Sequence, residues 1–265
     1  MSTTVVTAPR RRHRGRRALI ALLVIVVLLV VAFFVGDYLA RKFATSYVRD
    51  QVATALDLPS TAPVSVQFGP GSLLLQAATG SINEVVVKVD PLTLDGYTGT
   101  ATLTAHGVPL SSTTPVRELH VDIDIPEATV AKAIASVPAL AAYKPTVTIT
   151  TQNIAVNATV SILGFPQRVG LTMRPVVTAG VPSFSILTAE FAGATVSVTQ
   201  LDKYIPGLES TLQAGTSICI ANALPKDFVL SSVTLGQHSL VSRFTGNDVE
   251  LNSASLSMKG TCPGS

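Results

Sequence analysis

An α+β fold is predicted for this 265-residue chain: mostly antiparallel sheet, a long amphipathic helix ahead of it, and one membrane-crossing helix at the amino end. Three observations predict it. An unbroken apolar run follows a cluster of arginines, a helical pattern comes directly after that run, and a long series of segments alternates with a period of two.

The apolar run is Ala18 to Val35, 18 residues. As a helix it reaches roughly 27 Å, close to the ~30 Å of a hydrocarbon core. A cleaved secretion signal has a shorter core, about 7–15 residues, and ends at small residues. Here the run ends in Phe33-Phe34-Val35-Gly36-Asp37. Arg10, Arg11, Arg12, Arg14, Arg16 and Arg17 precede it with no acid among them. Positive flanks stay cytoplasmic. The expected organisation is therefore a basic cytoplasmic tail (1–17), a signal-anchor helix (18–36) and an exported domain (37–265). That places a single-pass protein in the plasma membrane, with its main domain on the periplasmic side.

The basicity is local. Six of the 19 Lys and Arg lie in the tail, which leaves 13 against all 16 Asp and Glu in the rest of the chain. A slightly acidic exported domain lacks the electrostatic footprint of a nucleic-acid binder. The two cysteines, Cys219 and Cys262, both fall on the exported side, where disulfides persist, and an even count favours a bridge between them.

After the apolar run, Phe43, Tyr47, Val48, Val52, Ala55 and Leu56 recur at helical spacing until Pro59 stops the pattern. Strands are expected at 64–68, 82–90, 100–106 and 118–125, then at 146–162 as one long or two consecutive strands. Further strands are expected at 167–177, 184–198, 227–251 and 253–259. Period-2 alternation with polar outer faces indicates antiparallel sheet. Two helical stretches interrupt the series: 126–143, aligned on Val130, Ile134 and Val137 and broken or kinked by Pro138, and a weaker one at 199–215. A faint repeat of strands followed by a helix covers 64–143 and 146–215. Aromatics make up only 5% of the chain, and small residues (Ala101, Ala105, Ala155, Ala158) occupy inward-looking strand positions. Such a lining either packs solid or leaves an apolar slot.

Chemistry leaves little trace. The chain has no G-x-S-x-G, H-E-x-x-H, P-loop or C-x-x-C pattern. His120, Asp122 and Asp124 share one strand face, as metal ligands or an acid–base pair would. Their spacing along a strand, about 6.8 Å between neighbours on one face, fits a solvated face better, with Val121, Ile123 and Ile125 inward. An enzyme is not expected, nor a metal or cofactor. The segment 68–80, FGPGSLLLQAATG, is the exception to alternation. Three consecutive leucines need cover, from the core as a buried helical turn, from an apolar cavity at its mouth, or from a membrane.

The order of these pieces, with LDLPSTAPVSVQFGPGSLLLQAATGSINEVVVKVD (56–90), ITTQNIAVNATVSILGFPQRVGLTMRPVV (149–177) and LPKDFVLSSVTLGQHSLVSRFTGNDVEL (224–251), resembles the LmeA-like phospholipid-binding family of actinobacterial envelope proteins. The similarity covers most of 40–251. One loop departs from it, reading Gly69-Pro70-Gly71-Ser72-Leu73 where the family carries aromatics. The resemblance implies a strongly curved antiparallel sheet wrapped around a long helix, as in tubular lipid-binding proteins. It also implies a phospholipid or related envelope lipid as ligand.

Under that reading Leu73, Leu74 and Leu75, with Val130, Ile134 and Val137, are the candidate lining of an apolar groove. The partners are then a phospholipid and the plasma membrane itself. The alternative is an envelope scaffold or interaction protein whose core is full and holds no lipid.

Overall fold

The computed structural model describes residues 14–55, 58–59, 62–94, 96–111, 114–162, 165–203, 207, 225–250 and 258–261. Its first element is α1, Arg14–Ala55, a helix of 42 residues. No proline falls within it, so the apolar run and the amphipathic pattern form one rod, about 63 Å long at 1.5 Å per residue. The expected tail 1–17 lies outside the described residues except for its last helical turn. Within the expected span 18–36, the side chains of residues 18–22 and of Val24 are also outside them. From Leu23 to Val35 the large apolar side chains that are described stand in the open, from 37% exposed at Phe33 to 67% at Phe34. Among the described residues no helix is long and apolar enough to cross a membrane.

Beyond Gly36, α1 lies on sheet. Ala40, Ala44, Val48 and Val52, four residues apart, pack on a cluster of Val64, Leu73, Ile82, Val85, Val87 and Val89. Of the stripe expected from hydrophobicity, Val48 and Val52 pack here, Phe43 and Tyr47 are exposed, and Leu56 is outside the described residues. Alanines let the helix axis approach the sheet closely, and the aromatic side chains, too bulky for that gap, face outward.

The chain continues as β1 (Val64–Phe68), α2 (Leu73–Ala78), β2 (Ser81–Leu94), β3 (Tyr97–Pro109), β4 (Val116–Pro126), α3 (Glu127–Ala135) and α4 (Pro138–Ala141). Then come β5 (Thr146–Ile149), β6 (Ile154–Ile162), β7 (Phe165–Thr178), β8 (Val181–Phe191), β9 (Ala194–Thr195), α5 (Val198–Asp202), β10 (Val229–Leu235) and β11 (Ser239–Val249). Pro138 opens α4 at its first turn, where a missing N–H costs nothing. The expected helix at 199–215 is α5, and its remainder falls outside the described residues apart from 203 and Gly207. So does most of the expected strand 253–259, and so do Cys219 and Cys262.

Two antiparallel sheets form, not one. Six strands run in the order β1-β2-β3-β4-β11-β10 and five in the order β5-β6-β7-β8-β9, and neither closes into a barrel. The faint repeat in the sequence corresponds to these two sheets, each followed by a helix. The last hairpin, β10–β11, returns to the first sheet and pairs with β4. At its tip Leu235 and Leu240 pack on the core of the second sheet, as do Val130, Ala131 and Ile134 of α3.

A single carboxylate ties this junction. Glu127, in the first turn of α3, accepts the N–H of Ile149 at 2.6 Å and contacts His238 Nδ1 at 3.2 Å. Its own N–H donates to the His238 carbonyl at 2.8 Å. The bond from Ile149, with help from His238, holds the Glu127 carboxyl below its ordinary range.

Candidate functional site

Directly opposed residues of an antiparallel pair project to the same face, so the register of the six-stranded sheet assigns its two faces. One face carries Val87, Leu103, Val121 and Phe244 in one row across four strands, and Val89, Ala101, Ile123 and Ser242 in the next. At the β1–β2 side α1 covers this face. At one end of the strands a second cluster fills it, made of Ala105, Val116, Leu119 and Val249 with Leu103, Val108 and Phe228. At the other end stand α3 and the tip of β10–β11.

Between these covered regions the face stays partly open. Ala101, Val121, Ile123 and Ile125 are half-buried and belong to none of the three hydrophobic clusters of the described residues. Their neighbours across the strands include Ser242 and Leu240. The result is an apolar strip floored by β3 and β4, with small residues (Ala101, Ser242) keeping it low. Covering one large aliphatic side chain is worth about 1.5–3 kcal/mol. Three adjacent ones left half-covered form a surface suited to an apolar ligand.

The six residues expected as lining do not come together around one strip. Leu73 is buried beneath α1, in the cluster of β1 and β2. Leu74 and Leu75, in α2, turn outward at 37% and 61% exposure. Val130 and Ile134 pack on the core of the five-stranded sheet, and Val137 is half-buried at the start of α4. The residues of the strip were readable in part. Alternation in β4 already turns Val121, Ile123 and Ile125 inward, and Ala101 is one of the small inward positions. Ala155 differs, since it pairs with Thr172 on the opposite face of its sheet from Val156 and Leu171.

The polar face of β4 separates the three groups that could have made a chemical centre. Asp122 is held by Arg243 of β11 through two bonds of 2.6 and 3.0 Å. His120 Nε2 contacts Glu118 at 2.9 Å. His120 Nδ1 and one oxygen of Asp124 are buried without a hydrogen-bond partner. Among the described residues no group of three His, Cys, Asp or Glu is placed to hold a metal ion. An Asp–Arg pair as exposed as this contributes at most about 1 kcal/mol, the scale of a surface ion pair. A cavity of about 410 Å³ lies elsewhere, on the second sheet, lined by Lys144, Thr146, Asn157, Ala158, Thr159 and Arg168. Its lining is polar and basic, unlike the strip.

The sequence of α2 is fastened to α1 at the point where the apolar run ends. Ser72 is the N-cap of α2 and accepts the N–H of Leu75 at 3.3 Å. Its hydroxyl donates to Asp37 Oδ1 at 2.8 Å, which also accepts the N–H of Leu74 at 3.0 Å. Arg41 Nε donates to the other Asp37 oxygen at 3.1 Å, and a second nitrogen of Arg41 reaches the Gly71 carbonyl. The bond from Leu74 first, then Ser72 and Arg41, hold the Asp37 carboxyl at about 2, against its ordinary value of 3.8 and against desolvation.

A carboxyl lowered by folding favours the folded state fully above 3.8, and that contribution fades as pH falls toward 2. The expected result is a protection factor for the Leu74 amide that is flat above pH 3.8, declines below it, and is abolished at neutral pH in Asp37→Ala. Hydrogen exchange read by mass spectrometry checks it. Unchanged protection in Asp37→Ala would show that α2 is held by something else.

Comparison with known proteins returns one finding. A family model described as LmeA-like phospholipid-binding matches residues 35–240. No curated protein and no solved structure matches the chain.

Proposed function

Because the chain belongs to the LmeA-like phospholipid-binding family, we propose that it is a membrane-tethered protein holding the acyl chains of an envelope phospholipid on the open strip of its six-stranded sheet. The observation that carries this reading is the half-buried, unclustered set Ala101, Val121, Ile123 and Ile125, bounded by covered apolar surface. Each acyl CH₂ that leaves water there contributes about 0.8 kcal/mol, so a single chain laid along β3 and β4 gains enough to be retained. The polar headgroup stays at the rim, where water reaches it.

The tether is α1. Its exposed apolar side chains from Leu23 to Val35 need a hydrocarbon surrounding, and the arginine-rich tail keeps the amino end in the cytoplasm. The domain after Gly36 then works on the periplasmic side. Lipid is held without being chemically altered: on β4, Asp122 is paired with Arg243 and His120 with Glu118, on separate partners.

The test is native mass spectrometry of the full chain released from detergent. The expected spectrum shows one phospholipid that survives removal of the micelle. A chain that emerges bare, under conditions that preserve its fold, would favour a scaffold with a full core.

A further inference from the structure

The end of the six-stranded sheet nearest the apolar half of α1 carries three exposed leucines drawn from two separate segments. Leu74 and Leu75 belong to α2, and Leu110 begins the turn between β3 and β4. Their exposures are 37%, 61% and 59%, although nothing in an aqueous setting favours three leucines there. The Leu110 N–H donates to the Gly80 carbonyl at 3.1 Å, which seats this turn beside the end of α2.

The position of α2 along α1 is set by the Asp37 bonds and by a close approach at Gly36. A Cβ at Gly36 would stand 3.4 Å from Leu74 Cδ1. Gly36 immediately follows Val35, the last residue of the apolar run. Leu74 therefore lies level with the end of the segment read as membrane-spanning.

We propose that this end of the domain is a docking surface for the membrane, with Leu74, Leu75 and Leu110 inserted into the lipid leaflet from which α1 emerges. The proposal rests on the tether reading of α1, and its occupant is the bilayer that α1 itself anchors. Continuity supports this choice over a protein partner: the exposed apolar surface of α1 runs up to Gly36, and the three leucines extend it sideways at that level. Tyr38, 66% exposed one turn beyond the run, is a residue type that favours the headgroup layer. The geometry has a consequence for loading. β3 runs from Pro109 at this end to Tyr97 at the other, roughly 40 Å away at about 3.3 Å per residue. The packed cluster of Ala105, Val116, Leu119 and Val249 stands between this end and the strip on β3 and β4, so a lipid leaving the leaflet reaches the strip only beyond that cluster.

The chain contains no tryptophan, so each introduced one reports alone. Full-length Leu75→Trp, Leu110→Trp and, as the far-end control, Tyr97→Trp are reconstituted into vesicles of phosphatidylcholine and phosphatidylglycerol, with and without bromine on the upper acyl carbons. The first two should emit at shorter wavelength than the control and lose most of their emission to brominated lipid. Tyr97→Trp should respond to aqueous iodide and ignore the bromine. Alkaline carbonate extraction of the same vesicles separates the two readings. A chain stripped off by carbonate overturns the tether and the docking surface with it. A chain that stays, with Leu75→Trp and Leu110→Trp unquenched by bromine, overturns the docking surface alone, whether those side chains are then in water or under a protein partner.

Discussion

Ala101→Phe should leave the protein folded and, on the proposed reading of the strip, remove the bound phospholipid. Ala101 sits on β3 between Val89 and Ile123, on the apolar face, at a point that no hydrophobic cluster of the described residues includes. A phenyl ring there occupies the ground that an acyl chain would take. In a filled core the same change would overpack, forcing side chains off their rotamers at about 1–3 kcal/mol. Over an open strip it covers Val121 and Ile123 instead, and the cost disappears. The expected pair of results is a thermal midpoint equal to or above that of the parent and loss of the lipid mass increment in native mass spectrometry. A lowered midpoint with lipid retained would mean that the strip is ordinary core and the ligand lies elsewhere.

Leu119→Ala should do the reverse. Leu119 is on the same strand and the same face as Ile123, four residues along, and is only 1% exposed. It is enclosed by Ala105, Val116 and Val249, with Val108 and Phe228 at their edges. Truncating a leucine so enclosed leaves a cavity and costs about 2–5 kcal/mol, the spread reflecting how far the surroundings relax. Denaturant unfolding should show a loss on that scale, while the molecules that remain folded keep their lipid. If the molecules that remain folded have lost their lipid, Leu119 belongs to the strip and the division drawn along β4 is misplaced. The two variants together ask whether one strand face is split between structural filling and ligand contact.

Much of the sheet was readable because apolar and polar residues alternate along most of its strands. Alternation marks β1 within the limits observed and β4 nearly so, and it orients Val121, Ile123 and Ile125 correctly. The break between β5 and β6, at Thr150 to Asn153, fits the reading of two consecutive strands in 146–162. What did not follow from local pattern is partnership. That β11 pairs with β4, leaving the intervening strands to a second sheet of their own, depends for the β4–β11 pairing on contacts more than a hundred residues apart along the chain. The buried stripe of α1 was legible in part, Val48 and Val52 but not Phe43 and Tyr47, for a related reason. Hydrophobicity ranks Phe43 and Tyr47 above Ala40 and Ala44, but close approach to a sheet selects for size. The candidate lining suffered similarly. Leu73, Leu74 and Leu75 are consecutive, so in a helix they point in different directions: Leu73 into the cluster beneath α1, Leu74 beside Gly36 of α1 and Leu75 outward. Which apolar positions stay uncovered is decided by where α1 and α3 come to rest, and no single segment encodes that.

The late return of β10 and β11 shapes how the protein must be made. Pro126 pairs with Ser239, and Val116 with Val249. Until the ribosome has released those last strands, β4 has one side unpaired and offers its backbone donors and acceptors to any passing strand. The whole second sheet emerges during that interval, rich in the same valines and threonines. Bare edges of this kind invite wrong pairing and aggregation, and distant pairings form slowly. Versions cut short before Val229 should accumulate as insoluble material.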